Sequence, residues 1–170
     1  GERKVSLPAG VRIPPQNLDA ERSILGASLI DKNALIKIID IVTTQDFYDE
    51  NHGLIYEAML TLFEKRRPID IVTLTEQLES EKILDQVGGA SYLTDLVNGT
   101  PSAANVVHYA KIVSDKAVLR RLIEASSNIS ELGFDEDAEI SEILDKAEQS
   151  LFAVSQKFMK DKFVAVKDIL

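Results

Sequence analysis

The chain has 170 residues, 45% of them apolar, so it can form one modest core, or a small core with an appended helical element. It contains no cysteine, which excludes disulfides and thiolate metal sites and indicates a reducing, cytoplasmic setting. No apolar run reaches membrane-spanning length, and the net charge of −9 argues against a surface that grips nucleic-acid phosphates, although acidity also aids solubility.

The start of the chain predicts an arm followed by a capped helix. Residues 1–13 show no helical periodicity and are expected to form a flexible N-terminal arm. Pro14 and Pro15 stop any earlier helix, and Asn17 is a suitable N-cap. The first helix is therefore expected from about Leu18 to Ile30.

The next segment predicts three further helices within a globular helical subdomain, residues 14–99. A short helix is expected over residues 33–41 and a longer one over residues 46–65. Residues 69–72 alternate like a strand but have no partner strand, so we expect an extended connection. Thr73 and Glu76 fit a capping box that opens the next helix.

A glycine pair separates this segment from the next two predicted helices. Gly88–Gly89 breaks the chain before a short helix over residues 90–97. Thr100 or Ser102 is expected to cap a long helix that continues to Leu132. Its length, about 45 Å at 1.5 Å per residue, exceeds that of the small subdomain that it leaves.

The C-terminal third predicts the second half of an antiparallel helical hairpin, residues 100–158. Apolar residues there recur at spacings of three and four and indicate one narrow seam facing the first hairpin helix. The seam comprises Ile140, Ile143 or Leu144, Ala147, Leu151, Val154 and Phe158. Residues 159–170 continue as the start of a linker helix. The predicted fold class is all-α: a small orthogonal helical bundle followed by a long antiparallel hairpin.

No residue pattern indicates catalysis. The phosphate-loop pattern GxxxxGK[ST] is absent, and the glycine pair lacks a following lysine. Asp46, Asp49, Glu50 and His52 could suggest a metal or acid–base site, but acidic residues favour helix starts electrostatically. We interpret them as a solvated helix start and expect no metal, cofactor or catalytic residue.

The first hairpin helix carries more apolar residues than one face can hold. Ile112, Leu119 and Ile123 form a stripe for which the predicted fold supplies no partner within the chain. An exposed stripe of large apolar residues is typical of a protein contact, here with another helix.

Three segments resemble one protein family. They are residues 12–17 (RIPPQN), residues 68–74 (PIDIVTL) and residues 87–123, which include PSAAN, YAKIV and LRRLI. Together they resemble the N-terminal domain of the bacterial hexameric replicative DNA helicase, the DnaB family. The likeness runs from about Arg12 to the C-terminus.

The resemblance implies a collar domain rather than a motor. In this family the N-terminal domains pair through their hairpins, assemble as a trimer of dimers in a hexamer, and recruit the C-terminal domain of primase. ATP, Mg²⁺ and 5′–3′ unwinding belong to a C-terminal motor domain. The helicase loader and the clamp-loader complex are further implied partners.

By position, the resemblance implies Tyr92, Ile123, Ile129 and, less directly, Asp19 as primase contacts. Ile112 and Leu119 join them as self-association or primase candidates. A helical DNA-binding regulator is the main alternative, although the basic clusters are short and flanked by acid. A small all-helical enzyme is the other, and the sequence offers it no convergent polar pocket.

Overall fold

The computed structural model describes residues 12–169, and it describes side chains as far as residue 160. Residues 1–11 of the expected arm lie outside the described residues. The described chain is entirely helical, which confirms the predicted fold class. Its α-helices are α1 (Leu18–Ile30), α2 (Ala34–Ile38), α3 (Glu50–Glu64), α4 (Ile71–Ser80), α5 (Gly89–Asn98), α6 (Val106–Leu132) and α7 (Ile140–Ile169), with a 3₁₀ turn over Thr44–Asp46.

α1 begins and ends at the predicted residues because its signals are local. The Asn17 side chain accepts a hydrogen bond from the Ala20 N–H at 2.9 Å and satisfies one free donor of the first turn. Ile24 and Leu25 are fully buried at the centre of the core.

The predicted start of α3 is wrong by four residues. Residues 44–46 form a separate 3₁₀ turn, and the Asp46 carboxylate accepts from the Thr43 N–H at 2.9 Å. Asp49 then caps α3 by accepting from the N–H groups of Asn51 and His52. Two consecutive caps therefore replace the single expected helix start.

The extended connection predicted at residues 69–72 is wrong in its second half, because Asp70 is extended but residues 71–72 are helical. The Asp70 carboxylate accepts from the Thr73 N–H at 2.9 Å, and the Asp70 N–H donates to the Thr73 hydroxyl at 3.0 Å. This reciprocal pair is a capping box placed three residues before the predicted one, so α4 begins at Ile71.

The hairpin helices differ from prediction at their ends. The Thr100 hydroxyl donates to the Leu96 carbonyl of α5, and the Ser102 hydroxyl accepts from the Ala104 N–H. Neither caps α6, which begins at Val106 and ends before Gly133 as predicted. α7 passes position 159 without a break, so no helix end marks the expected linker.

α1 and the first half of α6 form the centre of the globular core. α1 contacts α2, α3, α5 and α6. On α6, Val106, Ala110 and Val113 belong to this core, and Ala117 is also buried. Beyond them α6 leaves the core and pairs with α7. Within residues 12–169, no helix is long and apolar enough to cross a membrane.

Gly26 permits the close crossing of α1 and α5. A Cβ at this position would lie 2.0 Å from the Thr100 Oγ1 and 2.5 Å from the Leu96 carbonyl oxygen. Both distances are far below van der Waals contact, so only glycine fits there without displacing α5.

We predict that Gly26→Ala lowers the free energy of unfolding by about 1–3 kcal/mol, because overpacking outweighs alanine's better helix propensity. Urea unfolding of Gly26→Ala, Thr100→Ala and the double variant measures the coupling. Thr100→Ala removes the nearest clashing atom, so the double variant should be at least about 0.5 kcal/mol more stable than additivity predicts. If the losses in unfolding free energy of the two single variants simply add in the double variant, the Thr100 side chain does not determine how closely α1 and α5 can approach.

Candidate protein-docking site

A cleft of about 280 Å³ lies between α1 and α5. We call it the α1–α5 cleft, and its lining residues are Asp19, Arg22, Ser23, Tyr92, Asp95, Leu96, Gly99 and Thr100. Arg22 donates to the Asp19 carboxylate at 2.5 Å, and this hydrogen bond raises the pKa of the Arg22 guanidinium. The cleft thus brings two of the predicted contact residues, Asp19 and Tyr92, to one place.

A buried polar chain supports the cleft from behind. Glu21 and His52 are each only 1% exposed, and the Glu21 Oε1 lies 2.9 Å from the His52 Nδ1. The His52 Nε2 lies 2.5 Å from the Tyr92 hydroxyl. The Glu21 carboxylate also accepts the N–H groups of Tyr48 and Asp49, at 2.9 and 3.2 Å. One carboxylate therefore ties α1 to the start of α3 and, through His52, to α5.

Tyr92 is the half-buried end of this chain. Burial raises the pKa of its phenol, an effect that the nearby Arg22 opposes. The hydroxyl therefore stays protonated at neutral pH and remains able to donate as well as accept. Gly88 adopts φ 109°, and a Cβ there would lie 2.7 Å from the Tyr92 Cβ. Glycine at this position therefore leaves room for the Tyr92 side chain.

Two arginines fasten the hairpin to the globular subdomain. Asp46 is buried and pairs with the Arg121 guanidinium, while Arg120 donates to the carbonyl oxygens of Pro15 and Asp46 at 2.8 and 2.7 Å. The Arg120 guanidinium also stacks 5.5 Å from the centre of the Tyr48 ring, and burial lowers its pKa. We call these four residues, Pro15, Asp46, Arg120 and Arg121, the Asp46 clasp.

A second depression lies beside this clasp. It has a volume of about 530 Å³, and we call it the Ile123 groove. Its lining residues are Arg12, Ile13, Pro14, Pro15, Tyr48, Arg120, Ile123 and Glu124. Ile123 is 55% exposed and Leu119 is also exposed, so the expected free stripe exists at these two positions.

A further set of exposed apolar residues lies on one side of α7, which we call the outward α7 face. At 100° per residue its members fall within an arc of about 120°. They are Leu144, Leu151, Phe152, Phe158 and Met159, all of them exposed. The seam predicted for α7 agrees with the structure at Ile143, Ala147 and Val154, which are partly buried. It is wrong at Ile140, Leu151 and Phe158, which are exposed.

The six predicted contact residues do not form one surface. Asp19 and Tyr92 share the α1–α5 cleft, and Ile123 lines the separate groove. The expectation that Ile112 has no partner within the chain is wrong, because it packs against the globular core. Ile129 is partly buried on α6. Their roles in binding stay predictions.

The interpretation of residues 46–52 as a solvated helix start is wrong for two side chains. Asp46 and His52 are each 1% exposed, and both are hydrogen-bonded inside the protein. Within the described residues no cluster of His, Cys, Asp or Glu has the arrangement of a metal site. Sequence reasoning missed Glu21, although its spacing from Ile24 and Leu25 indicates the inward side of α1.

The fold and these surfaces define an all-helical domain with a projecting hairpin and polar and apolar recesses suited to protein contacts. Residues 13–115 match the family model of the DnaB-like helicase N-terminal domain. Because that match covers more than half of the chain, the chain belongs to this family.

Relatives of known function agree with this assignment. The chain is 41% identical over 159 residues to the replicative DNA helicase DnaC of Bacillus subtilis (strain 168) and 42% identical over 159 residues to the replicative DNA helicase DnaB of Geobacillus stearothermophilus. Each alignment covers 94% of the chain but 35% of the relative, so the chain spans about a third of their length.

Solved structures agree with the fold. The N-terminal domain of DnaB helicase from Mycobacterium tuberculosis superposes with a TM-score of 0.80 at 37% identity, covering 84% of this chain and 99% of that one. A DnaB-like replicative helicase, from a structure that also treats its interactions with primase, has the same fold. That match has a TM-score of 0.68 at 23% identity and covers 81% of this chain and 31% of that one.

Proposed function

We propose that this chain is the collar domain of a replicative helicase, which associates with copies of itself through its hairpin and recruits primase. The observation that carries the proposal is the outward α7 face, with Phe152 64% exposed. Large apolar side chains along one helix face, here interspersed with Glu148 and Ser155, are stabilised when a second helix covers them.

The partner that we propose for the outward α7 face is the same face of a second copy of the chain. A twofold axis pairs identical patches, so a stripe that lies along α7 meets its own equivalent without needing a different partner. Such pairs are the units of the dimers and hexamers that the family resemblance implies. The loader and clamp-loader complex would bind elsewhere on the assembled collar.

Primase docking is proposed for the surfaces that self-association leaves free. The α1–α5 cleft lies within the globular subdomain, and the Ile123 groove lies where the subdomain meets α6. Neither includes a residue of the outward α7 face. The related DnaB-like helicase whose structure treats primase interactions shares this fold. We therefore propose the C-terminal domain of primase as the partner of these recesses.

The motor functions are proposed for the rest of a longer protein. Relatives that are replicative DNA helicases extend well beyond the matched third. ATP with Mg²⁺ and 5′–3′ unwinding would belong to a C-terminal motor domain in the cytoplasm, and this chain would need no cofactor.

The alternative of a DNA-binding regulator loses its main support. Arg120 and Arg121 are engaged in the Asp46 clasp and so are poorly placed to neutralise phosphates. The other basic cluster, residues 65–67, lies in a chain of net charge −9. We therefore propose that the collar contributes little direct DNA binding.

We predict that Phe152→Asp weakens self-association by on the order of 30-fold or more, because it places a charge in an apolar interface where a buried aromatic contributes about 2 kcal/mol or more. Sedimentation equilibrium gives the mass relative to the 18.8 kDa subunit. Val72→Asp is the matched control, since Val72 is 75% exposed on α4, away from the hairpin. Equal weakening by both variants, or by neither, would refute the proposed interface.

We also predict that Ile123→Asp weakens capture of the purified primase C-terminal domain by about tenfold or more, because burying a lone carboxylate in an apolar groove is costly. Circular dichroism should show unchanged helicity. Ile36→Asp is the control, since Ile36 is 59% exposed on α2. Wild-type affinity for primase in Ile123→Asp would remove the Ile123 groove from the proposal.

A further inference from the structure

We propose that Glu21 and His52 are positioning residues that set the polarity of the Tyr92 hydroxyl, so that its oxygen faces the α1–α5 cleft as a hydrogen-bond acceptor. This inference rests on the proposed function for its consequence, because the cleft matters only if a partner enters it. Its structural claim concerns the chain alone and can be tested without a partner.

The direction of the first hydrogen bond follows from the Glu21 environment. Its carboxylate accepts two backbone N–H groups, from Tyr48 and Asp49, and has no proton to donate. The His52 Nδ1, 2.9 Å away, must therefore carry the proton and donate it to Glu21. A carboxylate behind a histidine selects the tautomer in this way.

The direction of the second hydrogen bond then follows from the first. The proposed state of His52 is the neutral imidazole; with its proton on Nδ1, its Nε2 can only accept. The Tyr92 hydroxyl, 2.5 Å from Nε2, therefore donates its single proton inward. Its oxygen then accepts on the cleft side, where Arg22 supplies one N–H donor from within the chain and the remaining lone pair suits an N–H or O–H donor on a partner protein.

The nearly parallel rings of His52 and Tyr92, 10° apart, keep this geometry rigid. Both Glu21 and His52 are sealed from solvent at 1% exposure, so water does not compete for either hydrogen bond. Three elements thus hold one hydroxyl: Glu21 from α1, His52 from α3 and Tyr92 itself from α5.

Glu21→Gln should reverse the polarity while keeping the shape. The new amide can keep its oxygen on the Tyr48 N–H and turn its NH₂ towards His52, losing only the longer contact to Asp49. The Nδ1 would then accept, so Nε2 would carry the proton and donate to the Tyr92 oxygen. The hydroxyl proton would point into the cleft, converting an acceptor into a donor.

Ring-¹⁵N correlation spectra of the labelled chain test this directly. The chain has two histidines, and His108→Gln assigns the exposed one. Wild type should show a protonated Nδ1 and unprotonated Nε2 for His52 at neutral pH, and Glu21→Gln should show the reverse. A protonated Nε2 in wild type, or an unchanged tautomer in Glu21→Gln, would overturn the inference.

A binding arm, with the purified primase C-terminal domain as probe, tests the consequence. Glu21→Gln and Tyr92→Phe should each weaken binding by about fivefold, as expected for one neutral hydrogen bond. The double variant should be no weaker than Tyr92→Phe, because Glu21 acts through that hydroxyl. Glu57→Gln on α3 is the matched control and should bind like wild type.

The spectra and the binding measurements together distinguish failure of the positioning role from failure of the proposed function. Additive losses in the double variant would show that Glu21 acts by another route and would overturn the positioning role. If wild type fails to bind the primase domain at all, the proposed primase function falls, whereas the spectra still decide the polarity of Tyr92.

Discussion

The Asp46 clasp is the constraint on which the rest of the structure depends. Leaving a buried carboxylate without its cationic partner costs on the order of 3–5 kcal/mol, so Asp46 holds Arg121 on α6 close to the 3₁₀ turn. Arg120 extends the same attachment to Pro15, which precedes α1. Since both arginines lie midway along α6, the attachment fixes where the hairpin leaves the globular core.

This attachment determines which surfaces are available for partners. The first half of α6 packs into the globular core, so only the second half of α6 is left to pack against α7. α6 packs against one side of α7, so the opposite side, the outward α7 face, stays exposed in the fold. The α1–α5 cleft, in contrast, is polar and is supported from behind by Glu21. The domain thus separates an apolar surface suited to self-association from a polar recess suited to a specific contact.

The sequence predicted elements that have one clear local signal, and it missed those with competing local signals or with partners distant in sequence. The start of α1 was predicted because Asn17 caps it directly. The start of α4 was missed because an alternating pattern masked the cap supplied by Asp70. The hydrogen-bond partners of Glu21 could not be derived, since they lie 27 to 31 residues further along the chain. For the site, exposure of Ile123 followed from helical spacing, whereas its neighbours in the groove required the folded structure.

Amide hydrogen exchange of the wild-type chain, followed as a function of protein concentration, tests the central claim that the outward α7 face carries self-association. Peptides covering residues 144–159 should become more protected as the concentration rises, while those covering α2 and α4 should exchange at constant rates. Concentration-dependent protection confined to α2 or α4, with α7 unchanged, would contradict this account.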